Sequence, residues 1–278
     1  MLKQQRRKNY HISFQAMKVH ATKLQSAYKN ENAMKPITLF ACIIISLATK
    51  AQQPFFQTVK VEYEKTTYVH QLIKEIDPEW FEWTKDKTEP IQLRYFDLIA
   101  DSGQSLFRPG REVNKTRRGA FDLADTKNTV YTNFSSGLST SQKPVFEETF
   151  IVEDSLSRIQ WKLTADTRTI AGFECRKAIG IMNDTIGVFA FYADELIMPA
   201  GPESVHGLPG LILGLSIPRL HTTWFATKVE VNGVNMSQVK APAGKGKKVT
   251  KATLQQQLQR VLKNWGKEGE KMVINFII

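Results

Sequence analysis

Side chains that alternate apolar and polar over a short run can bury one face only as a β-strand, because successive side chains of an extended chain point to opposite sides. This chain repeats that pattern along most of its length. Val59, Val61 and Tyr63 form one stripe, Ile91, Leu93 and Tyr95 a second, and Val130, Thr132 and Phe134 a third. Ile159, Trp161 and Leu163 follow, then Ile186, Val188, Ala190 and Tyr192, and last Thr223, Phe225, Thr227, Val229 and Val231. Turn residues separate the runs: Asp101-Ser-Gly103, Arg108-Pro-Gly110, Ser135-Ser-Gly137 and Asn232-Gly233. The last pair, set between Val231 and Val234, predicts a hairpin. No strand–helix–strand rhythm intervenes. The fold expected is mainly β: a single domain of antiparallel curved sheet, as a sandwich or a half-barrel, with a C-terminal amphipathic helix.

Two stretches carry helical spacing. Leu72, Ile73, Ile76, Trp80 and Trp83 suit one helix, interrupted by Pro78. Leu254, Leu258, Val261, Leu262 and Trp265 fall on one face of a helix over 251–265, packed on the sheet and stopped by Gly266. Before it, Ala241-Pro-Ala-Gly-Lys-Gly-Lys-Lys248 reads as a flexible basic linker over 240–250. It is not a phosphate loop, since Ala241 replaces the first glycine that loop needs and no Ser or Thr follows the lysine.

The formal charge of +11 first suggests a polyanion partner. Its distribution argues otherwise. Residues 1–51 hold nine basic side chains and one acid, Glu31, whereas 52–239 hold twenty basic residues against twenty-four acidic ones. The rest of the excess lies in 240–271. A nucleic-acid partner is therefore not expected.

The same N-terminal stretch contains a twelve-residue apolar run, Ile37 to Ala48, preceded by Lys35 and followed by Thr49-Lys50-Ala51. A spanning helix needs roughly 20 apolar residues, so this run makes no stable anchor. Basic, apolar and small residues in that order are the pattern of a secretory signal, here 34–51, starting at Met34 and releasing Gln52. Residues 1–33 then read as an over-extension of the start, or as a long basic n-region. The expected mature chain, 52–278, is exported to the periplasm or cell surface with no stable transmembrane anchor. It keeps one cysteine, Cys175, on a strand whose alternate residues are Lys177, Ile179 and Ile181. That thiol is a buried inert one, or a reactive one beside Arg176 and Lys177.

The segment from Tyr192 to Leu215 is unusual for a connection, because it is greasy: Leu208, Leu211, Ile212, Leu213 and Leu215 surround Pro209-Gly210. Proline then glycine suits the centre of a type II turn, with positive φ at Gly210. Gly201-Pro202 makes a second bend. An apolar loop is either buried as a plug or presented as an interface.

The hexapeptide Gly207-Leu208-Pro209-Gly210-Leu211-Ile212 resembles the signature of the GLPGLI (Porph_ging) family of secreted Bacteroidota proteins, for which no reaction is established. Upstream, Ile170-Ala-Gly-Phe-Glu-Cys-Arg-Lys-Ala178 is similar to the family's aromatic-x-Cys-x-Lys-Ala strand, and Gly201-Pro202 to its Gly-Pro. Phe191-Tyr192 stands where the family usually has Trp-Tyr, and Ile197-Met-Pro199 near its usual Ile-Pro. The resemblance implies an exported, β-rich protein, with Gly201, Pro202, Gly207, Cys175 and Tyr192 as family-motif residues.

Catalytic patterns are sparse. His70, His206 and His221 form no His-Glu-x-x-His pattern, and no Gly-x-Ser-x-Gly is present. His206 has Asp194, Glu195, Glu203 and Ser204 near it in sequence. His221 alternates with Thr223, as a structural histidine on a strand would. The expectation is a non-enzymatic envelope protein that binds or docks through loop 207–213, with His206, Leu208, Pro209, Gly210, Leu211 and Ile212 against an apolar ligand or an envelope protein. No cofactor is implied. The alternative is an exported enzyme or metal-handling protein using His206 with the nearby acids.

Overall fold

A computed structural model describes residues 56–112 and 127–278. The expected extension 1–33 and signal 34–51 lie outside the described residues. Twelve strands form one sheet: β1 (Val59–Thr67), β2 (Gln92–Ala100), β3 (Gln104–Pro109), β4 (Thr129–Asn133), β5 (Leu138–Val145), β6 (Glu148–Ser155), β7 (Gln160–Ile170), β8 (Phe173–Met182), β9 (Ile186–Ala193), β10 (Leu211–Ile217), β11 (Thr222–Val231) and β12 (Lys247–Val249). Their order is β12-β6-β5-β4-β3-β2-β1-β11-β10-β9-β8-β7. Every neighbouring pair is antiparallel except β12 with β6, which is parallel. A single sheet sets aside the sandwich. β7 returns to touch β11, four places along, so the sheet curls as a half-barrel does.

Register decides which stripe goes inward. Val59, Val61 and Tyr63 are fully buried, and they face Ala100, Leu98 and Phe96 across the β1–β2 ladder. Directly opposite residues share a face. The even-numbered residues of β2 therefore enter the core, and the expected stripe of Ile91, Leu93 and Tyr95 lies on the outer side. Ile91 and Leu93 are 45% and 36% exposed. The single stripe expected along β11 is also broken. The ladder slips between Glu62 and Tyr63, leaving Thr227 unpaired, so Trp224 and Ala226 point inward before the bulge and Val229 aligns with Val61 after it. On β8 one face carries Cys175 under cover, while Ile179 and Ile181 on the same side are exposed. Leu163, in the edge strand β7, is exposed as well.

Asn232 and Gly233 both take positive φ, as a tight turn requires, but no return strand follows. Both edges of β11 are already filled by β1 and β10, so a hairpin partner has nowhere to pair. The chain instead enters a 3-10 turn at Met236–Gln238. His221 is not on a strand. It ends the 3-10 turn Pro218–Leu220 in the left-handed conformation, with Nε2 2.5 Å from Glu75 Oε2.

Pro78 divides the first helical stretch in two. α1 (Val69–Ile76) buries Leu72, Ile73 and Ile76, and α2 (Pro78–Thr84) starts on the proline, with Asp77 Oδ1 accepting from Glu79 N and Trp80 N. The C-terminal helix forms as α3 (Lys251–Leu262), capped by Thr250, with Leu254, Leu258 and Leu262 buried and Val261 exposed. It ends at Leu262, short of the expected Trp265; a 3-10 turn, Lys263–Trp265, follows, and Gly266, at φ 61, ends that turn. A second helix then follows, α4 (Gly266–Ile277), which the sequence reading did not foresee.

The supposed flexible linker is partly strand. β12 runs beside β6, where Lys247 pairs with Glu148, and Lys248 Nζ lies 3.4 Å from Glu153 Oε1. Gly246 permits this approach, since a Cβ there would stand 2.9 Å from Thr149 O. One apolar cluster joins β1, β2 and β8–β11 to segment 196–208; a second joins α1, α3 and α4 to β5 and β6.

Candidate functional site

The chain between β9 and β10, residues 194–210, is a plug. Its backbone closes on itself through Leu211 N to Leu196 O (2.8 Å), Ile212 N to Ala200 O (3.0 Å) and Gly207 N to Pro199 O (3.1 Å). Leu208, Leu211 and Ile212 are 3%, 0% and 0% exposed, so the apolar side chains of the hexapeptide are core rather than a docking face. Only Gly207 and Pro209 of the turn face solvent. Tyr63 Oη donates to Ile212 O at 2.6 Å and ties the plug to the central strand. The other side is pinned by Trp161, whose Nε1 donates to His206 O at 3.0 Å.

The glycines serve different needs. The positive φ expected at Gly210 occurs instead at Gly207, at 92°. Gly210 is required by contact: a Cβ there would lie 2.0 Å from Ala193 O. Gly201 is also tight, with Val205 O at 2.8 Å, and Pro202 beside it is buried. Cys175 is fully buried, its Sγ donating to Phe173 O, and burial pushes the thiol up to about 12. That matches the inert reading. Tyr192 is also fully buried, and its hydroxyl has no partner among the described residues.

Beneath the plug the sheet is polar. Ser139, Ser141 and Lys143 follow one another on the inward face of β5, opposite Asp154, Val152 and Phe150 of β6. They line a cleft of about 50 Å³ together with Ser155, Ser157, Ser204, His206 and Lys251, over an apolar floor that includes Val152, Ile159 and Met182. Lys143 is 5% exposed, and burial lowers its ammonium to about 8. Lys251 is lowered too, first by burial. Burial likewise lowers His206. Its Nδ1–H is given to Ser204 O at 2.9 Å, which leaves Nε2 as an acceptor in the neutral ring.

A smaller pocket of about 20 Å³ is lined by Lys65, Thr67, Asn128, Glu203, Thr222, Trp224 and Asn275, and Glu203 acts electrostatically on the Lys143 ammonium. There Asn128 Nδ2 donates to Glu203 Oε2 at 3.0 Å. Glu203 is buried with φ 54, a conformation that costs a non-glycine residue of order 1 kcal/mol or more. Trp224 Nε1 is buried with no partner among the described residues. That pocket has room for about one water molecule.

Among the described residues, none of the acids near His206 in sequence makes a hydrogen bond or ion pair with it. Asp194 pairs with Arg176 at 3.4 Å, Glu195 is exposed, and Glu203 is held by Asn128. No group of three or more His, Cys, Asp or Glu able to hold a metal occurs among the described residues. Lys143, Ser141 and Lys251 were not singled out from sequence. The available signal was the strand Leu138–Val145, whose inward face is polar up to Val145. A strand that is wet on its core side lines a cavity.

Fold and site together define a single-sheet β domain with a plugged, cationic cleft under paired helices. No family model matches the chain, and no curated protein does. Among solved structures, PNGF-II in space group P21 is similar over 76% of this chain and 34% of that one, at 14% identity and a TM-score of 0.47. PNGF-II in space group C2 gives 71%, 32%, 14% and 0.46. The chain thus spans about a third of the length of PNGF-II. No described helix is long and apolar enough to cross a membrane.

Proposed function

We propose that this chain is an exported, non-enzymatic binding protein of the periplasm or cell surface, of the GLPGLI kind, whose ligand enters the cleft beneath the plug. The supporting observation is the convergence of Lys143, Lys251, His206 and the serines of β5 and the plug on one cavity over an apolar floor. Groups with shifted proton affinity gathered in a concavity make it a candidate ligand site. Loop 207–213 then acts as a wall, not as the contact surface, because its leucines and isoleucine are core. The cavity takes a small molecule or one end of a larger one.

Two measurements test the reading. N-terminal sequencing of the product recovered from outside the cytoplasm should begin at Gln52; an unprocessed cytoplasmic chain removes the export half. Native mass spectrometry of that product should show a bound mass that Ser141→Leu loses while still unfolding cooperatively. A chain that carries no added mass, or a variant that retains it, rejects the cleft.

A further inference from the structure

The cleft is rich in donors and poor in acceptors. Lys143 has three N–H donors, and among the described residues its Nζ has a single acceptor, Ile278 O. Lys251 Nζ has one as well, Asn183 Oδ1 at 3.2 Å. The hydroxyls of Ser141 and Ser204 donate to nothing among the described residues, whereas Ser139 Oγ donates to Tyr131 O at 3.2 Å. The one carboxylate in the lining, Asp154, has both oxygens engaged: Oδ1 accepts from Ser155 N at 2.8 Å and Ser155 Oγ at 3.4 Å, and Oδ2 from Lys251 N at 3.1 Å. A buried ammonium left short of acceptors is costly, so the cavity calls for an acceptor-rich occupant.

Size and chemistry narrow the choice. About 50 Å³ holds roughly three to five water molecules, the scale of a small oxyanion and too little for a fatty acyl chain. Two ammonium groups with hydroxyls around them suit the oxygens of a phosphate or sulfate. His206 discriminates between these. With Nδ1–H committed to Ser204 O, its Nε2 accepts, which favours an oxyanion that still carries a proton. We infer that the cleft binds phosphate, free or as the end of a monoester, between Lys143 Nζ and Lys251 Nζ, with Ser141 and Ser204 as further donors. This rests on the cleft being the ligand site.

Isothermal titration of the full chain with inorganic phosphate tests it, with sulfate and phenyl phosphate as companion titrants. Phosphate should bind at least tenfold tighter than sulfate. Lys143→Met and Lys251→Met should each weaken it at least tenfold, with Ser141→Ala as a milder third variant in case a lysine change disturbs folding. Phenyl phosphate binding as tightly as phosphate assigns the site to a monoester end, and binding tenfold weaker assigns it to the free anion; both uphold the inference. Absence of phosphate heat, or lysine variants that bind as the parent does, overturns it. If Ser141→Leu still removes a co-purified mass in that case, the binding reading survives and only the phosphate assignment is lost; if it does not, both fall.

Discussion

Gly210 and Gly207 share the hexapeptide and are irreplaceable for different reasons. At Gly210 a Cβ would sit 2.0 Å from a backbone oxygen, which no side-chain motion relieves. Gly210→Ala should therefore cost more than about 3 kcal/mol, read as a lower urea midpoint or as insoluble protein. Gly207→Ala meets only Trp161 Nε1 at 3.7 Å and should cost about 1–2 kcal/mol, the strain of its positive φ. Lys143 makes a prediction in pH. Its ammonium titrates near 8 when folded, against the ordinary 10.5, so between those values the unfolded chain holds more protons. The stability contributed by this group then rises with pH from about 8 to 10.5. Cys175 acts oppositely, because its thiol is raised from 9.0 to about 12 and its contribution is lost across that window. Comparing the parent with Lys143→Met cancels the cysteine. The urea midpoint of the parent should gain on the variant between pH 8 and pH 10. None of this was legible in Gln142-Lys143-Pro144, since a lysine in a strand reads as solvent-facing until its neighbours are known.

Elements were legible where periodicity was strong. The stripes at Val59 and Ile186 predict inward faces, and the structure buries them. The stripe at Ile91 fails because its partner β1 sets the register, and a shift of one residue inverts both faces. The hairpin at Asn232-Gly233 fails for a related reason, the occupied edges of β11. In the plug, an apolar loop left two outcomes open, and packing against Tyr63 and Ala193 selects burial. Leu208→Ser with Leu211→Ser should accordingly unfold the protein or lower its stability by about 4 kcal/mol or more, seen as loss of a cooperative denaturation curve. A folded double variant of near-parental stability would return the loop to the surface.

For the whole molecule, the excess of positive charge is an arithmetic sum over unlike regions. Residues 1–51 hold most of it, and in the tail Lys247 and Lys248 pair with Glu148 and Glu153 on β6. Such exposed pairs add about 1 kcal/mol or less each to stability, yet they blunt the field a polyanion would feel. The chain lacking residues 1–51 should pass a heparin column at 0.15 M salt; retention beyond roughly 0.3 M would restore a polyanion surface. Sequence alone determined the class of fold, a C-terminal helix from Lys251 and the greasiness of the segment from Tyr192, because period, turn chemistry and local composition are properties of neighbouring residues. Tertiary structure decided which face of β2 is inside, that the greasy segment is core, and that Lys143 from β5, Ser204 from the plug and Lys251 from α3 meet at one cavity. Those depend on pairing between residues far apart in the chain, and no local pattern encodes them.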